Sequence, residues 1–283
     1  MRYSGRRPLG TERLPTSDRP SNICLAARLS GRYLGGVLEE IARVILRSKR
    51  GVVLTGAGIS AESGVPTFRG KEGLWGKFKP EELATMEAFI ANPKIVWEWY
   101  LWRRELLKKV SPNPGHYALT QLAQWFDDYA IITQNVDGLH RLAGSERVLE
   151  IHGNINRNKC AECGAFVEVP VESDPLTLPH CGRCGGAVRP DVVWFGEFLP
   201  EELIDQAVQL SERSDVFFSV GTSGLVHPAA GLPLVAKRHK AVLIEINPEE
   251  TPLTPLADYA LSGKSGEVLP ELLKRLQSAK MAS

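Results

Sequence analysis

Short runs of consecutive apolar residues alternate along this chain with stretches in which apolar residues recur every three or four positions. The apolar runs, which predict strands buried on both faces, lie at 51–55, 129–133, 148–151, 216–220, 241–246 and 259–261. The periodic stretches, which predict helices, lie at 34–46, 81–90 (as short turns), 92–109, 116–125 and 266–277. Such alternation is typical of an α/β fold, and we expect a Rossmann-like, doubly wound parallel sheet.

A glycine-rich loop follows the first predicted strand directly. Gly56, Gly58 and Ala61 have the spacing G-x-G-x-x-A, in which the first glycine permits a tight turn and the second lets a pyrophosphate approach bare backbone N–H groups. The glycine spacing alone is a weak signal, but its place straight after a strand favours dinucleotide binding.

The segment after these glycines does not continue as a dehydrogenase fingerprint would. Such a fingerprint runs into a regular helix and then a strand with an acidic residue about 20 residues on. Here several glycines and a proline between residues 62 and 76 indicate a long loop. A long loop inside a compact domain is usually functional, and this one could fold over a bound nicotinamide. A solvated surface loop is the alternative, although Phe68 and Trp75 fit it poorly.

Polar residues follow several predicted strands at their carboxyl ends, where open parallel sheets bind ligands. Gln134, Asn135 and Asp137 come after the second strand, with a helix N-cap at Asn135 or Asp137 as the alternative role. The loop 221–224 and the residue Asn247 follow two later strands and suit phosphate or ribose oxygens.

His152 ends the third predicted strand and is followed by a glycine. A lone histidine is more often structural than catalytic. Its place at a strand end, beside the point where the fold pattern changes, nevertheless favours a role in acid–base chemistry.

Four cysteines form two close pairs in a region that breaks the α/β alternation. Two residues separate Cys160 from Cys163, seventeen separate the pairs, and two separate Cys181 from Cys184. This is the spacing of a four-cysteine zinc ribbon, in which four thiolates would close the tetrahedron around a structural Zn²⁺. Redox use of the pairs is the minor alternative. Metal-type pairs also favour a reducing compartment, so we expect a cytoplasmic protein.

The predicted helix from Asn92 to about Lys109 carries an unusual arginine. Pro93 at the first helical position favours this start, and the i, i+3 rule places Tyr100 and Arg103 on one face, together with apolar residues. A guanidinium in such surroundings is expected to be partly buried and then needs an anion. Pairing of Arg103 with a nearby glutamate, with Tyr100 in the core, is the alternative.

Length and charge limit the domain organisation and the partners. A chain of 283 residues accommodates one doubly wound domain and a smaller module. We place the first part of that domain at 34–156, with a helical insertion at about 70–110, the zinc module at 157–190 and the second part at 191–283. Residues 1–33 are Arg-rich and nearly free of acidic residues, which predicts a disordered extension or, alternatively, a mitochondrial transit peptide. A net charge of +1, and the lack of an apolar run of roughly 20 residues, argue against nucleic-acid and membrane partners.

With these motifs assembled, the chain resembles a sirtuin, an NAD-dependent protein lysine deacylase, over about residues 36–279. The matching segments are 56–60 with 66–69, 133–137, 152–153, the four cysteines, 193–197, 221–223 and Asn247. Departures from the family pattern are small: Val136 stands where isoleucine is commoner, and the segment between the cysteine pairs is short.

The resemblance implies a reaction in which the carbonyl oxygen of an acylated lysine attacks C1′ of the nicotinamide ribose as nicotinamide leaves. His152 would then act as general base on a ribose hydroxyl, so that the products are free lysine and O-acyl-ADP-ribose. NAD would be the co-substrate, one structural Zn²⁺ the metal, and acylated-lysine proteins the partners. The substrate peptide would add as a strand between 193–196 and 224–226, through main-chain hydrogen bonds.

The resemblance also assigns residues to NAD and to the substrate. Cofactor contacts are implied for Gly56, Ala57, Gly58, Ile59, Ser60, Glu62, Phe68, Arg69, Trp75, Gln134, Asn135, Asp137, Gly221, Thr222, Ser223, Asn247 and Ser265. Peptide contacts are implied for Val193, Trp194, Phe195 and Gly196. Within the family the chain looks like the class III, succinyl-removing branch, because Tyr100 and Arg103 match its Tyr-x-x-Arg pair and Ala84 matches the small residue that widens its acyl pocket.

Other functions stay open on the sequence. A nicotinamide dehydrogenase is disfavoured by the segment after the glycines, and a zinc-ribbon module that binds nucleic acid or protein is disfavoured by the near-neutral charge. A mono-ADP-ribosyltransferase or NAD hydrolase shares the first chemical step of a sirtuin. Among deacylase activities we expect desuccinylation, with demalonylation and deacetylation beside it.

Overall fold

The structure, a computed structural model, describes residues 31–67, 79–169 and 177–281. Its strands are β1 Arg50–Thr55, β2 Asp128–Thr133, β3 Val148–Glu150, β4 Gly153–Cys160, β5 Val188–Val192, β6 Val216–Val220, β7 Val242–Asn247 and β8 Tyr259–Ser262. Its helices are α1 Gly31–Leu46, α2 Gly58–Ala61, α3 Pro80–Leu83, α4 Met86–Ala91, α5 Pro93–Leu107, α6 Pro114–Leu122, α7 Leu139–Leu142, α8 Glu201–Arg213, α9 Leu232–Arg238 and α10 Ser265–Met281. The predictions for residues 1–30, and the cofactor contacts of Phe68, Arg69 and Trp75, lie outside the described residues.

Six strands form one parallel sheet in the order β3-β2-β1-β6-β7-β8. In β1, Val53 lies opposite Ile131 of β2 on one side and Phe218 of β6 on the other. The chain therefore builds outwards from β1 in two directions, first to β2 and β3 and later to β6, β7 and β8. This order confirms the predicted doubly wound, Rossmann-like sheet, and the six predicted strands differ from the observed ones by at most one residue at either end.

Neighbouring residues of each central strand enter opposite halves of the core, as the two-residue period of a strand requires. Val53 and Phe218 pack on the face covered by α1, α6 and α10. Val52 and Phe217 pack on the other face, which α8 and α9 cover. Because both faces are buried, these strands are continuously apolar instead of alternating.

The predicted helices are present in the described residues, with small differences at their ends. Residues 123–125, predicted as the end of a helix, form a 3-10 turn, and the last helix continues to Met281. Asn92 precedes the helix of the insertion as predicted, but its side chain makes no capping hydrogen bond. Pro93 is therefore the effective start signal, since its missing N–H costs nothing at the first helical position.

The antiparallel pair β4–β5 was not indicated by the hydrophobic pattern. β4 has the sequence GNINRNKC, which is mostly polar and therefore lacks the apolar run that predicts a buried strand. Its pairing with β5 shifts register between Asn154 and Asn158. Gly153 begins β4 with φ +84°, and a Cβ there would collide with the carbonyl oxygen of Asp191. Only glycine therefore fits directly after His152.

The helical insertion packs on the antiparallel pair β4–β5 and on the segment that follows it. Phe89 of α4 and Tyr100 of α5 share an apolar cluster with Ile155 of β4 and with Trp194, just after β5. Arg104 adds a polar link, because its Nε donates to the carbonyl oxygen of Ile155 at 2.6 Å. The insertion is thereby held beside the carboxyl ends of the sheet strands.

Candidate active site

A cleft of about 1450 Å³ opens at the carboxyl ends of the central strands, bounded by the small module and the helical insertion. Most of the predicted site residues line it, namely Gly56, Ala57, Gly58, Glu62, Ala84, Tyr100, Arg103, Gln134, Asn135, His152, Val193, Trp194, Phe195, Gly196, Gly221, Thr222, Ser223, Asn247 and Ser265. Segments far apart in sequence thus meet in one concave site, at the switch point between β1 and β6 where the strand order of the sheet reverses.

The floor of the cleft lies where two glycine loops pack backbone against backbone. Gly58 donates its N–H to the carbonyl oxygen of Gly221 at 2.8 Å. A Cβ at Gly56 or at Gly58 would lie 2.8 or 2.7 Å from that oxygen, and Gly221 itself has φ +58°. Glycine at 56 and 58 is thus required by this contact, in addition to the approach of a phosphate that the sequence predicts.

Three side-chain amides hold these loops. Gln134 Nε2 donates to Thr222 Oγ1 at 2.9 Å, and Asn247 Nδ2 donates to the carbonyl oxygen of Thr222 at 2.8 Å. Asn135 Nδ2 donates to the carbonyl oxygen of Gly56 at 3.1 Å. The strand-end amides therefore position the backbone that would receive a ligand.

Ile59, Ser60 and Asp137 lie behind the cleft wall instead of lining it. All three are buried. Ser60 Oγ donates to Asp137 Oδ2 at 2.7 Å, and the backbone N–H of Leu139 donates to Asp137 Oδ1 at 2.9 Å. Asp137 thus supports the first turn of α7 from the position before its N-cap, which is Gly138 and not Asp137. Burial raises the pKa of its carboxyl.

Two histidines without any signal in the hydrophobic pattern are buried beneath the cleft floor. His116 Nε2 lies 3.4 Å from Ser60 Oγ, and His140 Nε2 lies 2.9 Å from Thr55 Oγ1. Burial lowers the pKa of His116 to about 4 and that of His140 to about 3, so both rings are neutral at pH 7. A capping box with Asn113 holds His116, and the Asn-Pro start of α6 is the sequence signal that could have located it.

His152 is half-buried on the cleft wall. Its Nδ1 lies 3.0 Å from the carbonyl oxygen of Gln134. A carbonyl oxygen only accepts, so Nδ1 carries the proton and Nε2 is the basic nitrogen of the neutral ring. Burial lowers the pKa of His152, which keeps the ring unprotonated at pH 7. The geometry therefore supplies a base in a fixed tautomer.

Glu62 and Ser265 meet at the first turn of α10. The N–H of Gly266 donates to Glu62 Oε2 at 2.7 Å. Ser265 Oγ is buried and has no hydrogen-bond partner among the residues that the structure describes. Because a buried hydroxyl without a partner is unfavourable, this position on the cleft wall fits a ligand oxygen or nitrogen.

Tyr100 and Arg103 lie one turn apart on α5, at the side of the cleft next to the helical insertion. Their exposed fractions are only 2% and 8%, yet both line the cleft. The Arg103 guanidinium lies 5.0 Å from the centroid of the Trp99 ring and 5.5 Å from that of the Tyr100 ring. Burial lowers the pKa of Arg103, but a guanidinium stays charged in proteins. Ala84 belongs to the same apolar cluster as Tyr100.

Residues 193–196 run along the cleft beside His152. Val193 donates its N–H to the carbonyl oxygen of His152 at 2.9 Å, and Phe195 donates to that of Ala84 at 2.9 Å. Trp194 is buried, whereas Phe195 and Gly196 are exposed. Such a segment, held on one side and exposed on the other, suits the addition of a peptide strand.

The four paired cysteines come together at the far end of the small module. Their Sγ atoms all lie within 4.8 Å of one another, with 3.4 Å between Cys160 and Cys184 and 3.8 Å between Cys163 and Cys181. Sulfurs about 2.3 Å from a tetrahedral Zn²⁺ are roughly 3.8 Å apart, so the set fits zinc. Four thiolates leave no open position on the metal, and we assign it a structural role.

Comparison with known proteins identifies the family. Residues 56–228 match the Sir2 family. The chain is 53% identical over 247 residues to an NAD-dependent protein deacylase of Pyrococcus abyssi, which covers 85% of this chain and 98% of that protein. It is 55% identical over 226 residues to an NAD-dependent protein deacylase of Aquifex aeolicus, which covers 80% and 95%. The chain belongs to the Sir2 family.

Solved structures agree with this membership. A Sir2 homologue in complex with NAD matches with a TM-score of 0.80 and 48% identity, over 85% of this chain and 94% of that one. Sir2Af2 bound to a myristoylated histone peptide matches with a TM-score of 0.70 and 35% identity, over 87% and 98%. The sirtuin prediction is confirmed, and with it NAD as the cofactor.

The cleft of this Sir2 chain fits NAD on its own geometry. Its floor between Gly56 and Gly221 is bare backbone, as a pyrophosphate requires. The unpartnered hydroxyl of Ser265 and the base His152 lie on its walls. Each of the individual cofactor contacts stays a prediction.

No helix in the described part of the chain combines the length and apolarity needed to cross a bilayer.

Proposed function

We propose that this NAD-dependent protein deacylase removes succinyl groups from lysine side chains, with malonyl and acetyl groups as further substrates. The observation that carries the proposal is the pair Tyr100 and Arg103, which lines the same cleft as His152 and is almost completely buried. The acyl chain of a substrate lysine would extend past His152 towards this pair.

A buried guanidinium favours an anionic group over an apolar one. Removing a charge from water is costly unless a partner of opposite charge or a set of hydrogen bonds compensates it. The aromatic faces of Trp99 and Tyr100 offset part of this cost for Arg103. The far carboxylate of a succinyl group would add charge-assisted hydrogen bonds to this guanidinium, whereas an acetyl methyl cannot.

The chemistry itself is assigned to the other side of the cleft. Bound NAD supplies the carbon that accepts the acyl oxygen, with nicotinamide as leaving group. The loops at Gly56 and Gly221 would hold its phosphates, and Asn135 and Gln134 fix those loops. His152 Nε2 would take a proton from a ribose hydroxyl, since its Nδ1 is already committed to Gln134.

Substrate proteins would bind through their main chain. Residues 193–196 present one exposed edge to the cleft, and Leu225 and Val226 line it as well. A peptide between these segments would form strand-like hydrogen bonds that tolerate many sequences. We therefore propose acylated-lysine proteins of varied sequence as substrates, and, from the four metal-type cysteines, a reducing compartment such as the cytoplasm.

Mono-ADP-ribosyl transfer and simple NAD hydrolysis are not favoured as alternatives. The relatives reported above are named deacylases. Neither alternative gives a buried arginine beside the cleft a role.

Mass spectrometry of one succinylated and one acetylated peptide, each with and without NAD, tests the proposal. Wild-type protein should remove succinyl faster, only with NAD. Arg103→Met keeps most of the bulk and removes the charge, so kcat/KM for the succinyl peptide should fall roughly 10- to 150-fold while deacetylation persists. Arg104→Met is the matched control, because Arg104 is the next residue of α5 and bonds to the backbone of β4 instead. Equal losses on both peptides in Arg103→Met would contradict the proposal.

A further inference from the structure

The side chain of Trp194 turns away from the exposed edge of the substrate segment and into the helical insertion. Its exposed fraction is 2%. The indole packs against Phe89 and Tyr100, with ring centroids 5.3 Å and 6.2 Å apart. Its Nε1–H donates a hydrogen bond of 2.8 Å to the hydroxyl oxygen of Tyr100. The segment predicted to bind the peptide backbone thus also contacts the residue predicted to bind the acyl group.

This hydrogen bond restricts the direction of the Tyr100 hydroxyl proton. A phenolic O–H prefers the plane of its ring, where it has two positions, and an incoming donor near that plane occupies one of them. The indole N–H can only donate, so the hydroxyl is the acceptor here, as it is towards the Arg103 guanidinium, which also only donates. Tyr100 is 2% exposed, and bulk water therefore does not compete for the arrangement.

We propose that Trp194 is a positioning residue for acyl selectivity, because its indole N–H directs the Tyr100 hydroxyl proton to the carboxylate of a dicarboxylic acyl group. The inference rests on the proposed desuccinylase function and adds to it a residue that need not touch the acyl group itself. Without the indole donor, the hydroxyl proton can also turn towards the place of the indole, and that direction does not serve the substrate.

An ion pair between a buried arginine and a partly exposed glutamate holds the indole in position. Arg189 is 1% exposed, and its guanidinium carbon lies 3.3 Å from the centroid of the Trp194 ring. The same guanidinium donates to Glu197 Oε2 at 2.9 Å and to the carbonyl oxygen of Val192 at 2.7 Å. Glu197 Oε2 in turn accepts the backbone N–H of Trp194 at 2.8 Å. Ring and backbone of Trp194 are therefore fixed by one pair, which pre-organises the contact with Tyr100.

The decisive change removes only the indole N–H. Incorporation of β-(3-benzothienyl)alanine at position 194 by amber suppression replaces the N–H with sulfur and keeps the shape of the ring. We expect the succinyl-to-acetyl ratio of kcat/KM to fall about 3- to 10-fold, the usual effect of one hydrogen bond, with the loss expressed in KM for the succinylated peptide. Trp194→Phe should show the same ratio with an added loss of stability.

A double-mutant cycle with Tyr100→Phe tests whether Trp194 acts through the hydroxyl. Once Tyr100 has lost its oxygen, the change at 194 should have no further effect on the succinyl-to-acetyl ratio of kcat/KM. Trp97→Phe is the control, since it trims another buried tryptophan of α5 that contacts Arg104; it should leave the ratio unchanged.

The outcomes separate this inference from the proposed function. An unchanged ratio in the position-194 variants, or effects that add to those of Tyr100→Phe, would overturn the inference while Arg103→Met still abolished succinyl preference. A wild-type protein without succinyl preference would remove the proposed function and the inference together.

Discussion

The two halves of the cleft differ in the atoms that line them: main-chain atoms in one half and side chains in the other. The half that would hold NAD is mostly backbone: the loops at Gly56 and Gly221 touch atom to atom, and side-chain amides fix them. The half that would hold the acyl group consists of side chains, with Tyr100, Arg103 and Trp194 contributed by the insertion and the segment after β5. His152 lies on the wall that both halves share.

Because of this difference, we expect one half of the cleft to determine the rate of the reaction and the other half to determine which acyl group is preferred. The backbone floor would bind NAD, which is the same for every acyl substrate. A side chain in place of Gly56, Gly58 or Gly221 would collide with the facing loop. Side chains on a helix can be exchanged one at a time without moving the sheet. Changes in the cofactor half should therefore affect every acyl substrate equally, and changes in the acyl half should affect the ratio between them.

The largest effect is expected from loss of the four-cysteine cluster, because the module that it holds together packs on the helical insertion. Cys160→Ala or Cys184→Ser should release zinc and lower solubility, melting temperature and activity on both peptides together, because binding of a structural metal and folding are one process. Zinc content, melting curves and activity would be measured side by side. Cys24→Ser leaves the four-cysteine set intact and is the control. A chelator that removed zinc and left a folded, active enzyme would contradict this expectation.

The next largest effect is expected from substitution of His152, on the wall that both halves of the cleft share. His152→Ala should lower kcat/KM on the succinyl and acetyl peptides alike by roughly 10²–10⁴, the usual contribution of a general base, with little change in NAD affinity. Because burial places the pKa of His152 below its ordinary value, wild-type activity should be level around pH 7 and fall only towards acid. Near-normal turnover in the variant would remove His152 from the chemistry.

A smaller effect concerns the stability of the whole protein at acid pH and originates beneath the cofactor half of the cleft. His116 and His140 lie beneath the cofactor floor with pKa values of about 4 and about 3, against about 6.5 in an unfolded chain. The unfolded chain therefore binds more protons below pH 6.5, and stability is lost as the pH falls from there towards 4. Each histidine should cost about 2 kcal/mol by pH 5.

Chemical denaturation between pH 7.5 and 5 measures that loss. His140→Gln should flatten the acid limb by removing one of the two titrating groups. A free energy of unfolding that stayed level down to pH 5 would mean that neither ring must remain neutral for the floor to form.

The parts of the site that the sequence predicts are those encoded in short, local patterns. The glycine loop, the strand-end amides, His152 and the cysteine pairs each lie within a few residues of a strand end or a turn. Parallel strands in a doubly wound sheet end on one edge, so these local signals converge without further information.

The parts that could not be predicted depend on packing between distant segments. Nothing near Arg189 in the sequence indicates that it stacks on Trp194 or pairs with Glu197. The inward direction of Trp194 is set by contacts with Tyr100, 94 residues away. The hydrophobic pattern does not predict strand β4, because its residues are mostly polar and its pairing with β5 is irregular.

One competition experiment tests the separation of reaction from selectivity most directly. Equimolar succinylated and acetylated forms of one peptide would be incubated together with NAD, and the ratio of the two deacylation rates would be measured for wild type, His152→Ala and Arg103→Met. We expect a wild-type ratio in favour of succinyl, and the same ratio at a far lower rate in His152→Ala. In Arg103→Met the ratio should fall by one to two orders of magnitude, as expected for one or two lost charge-assisted hydrogen bonds. A ratio that His152→Ala changed and Arg103→Met left alone would contradict this separation.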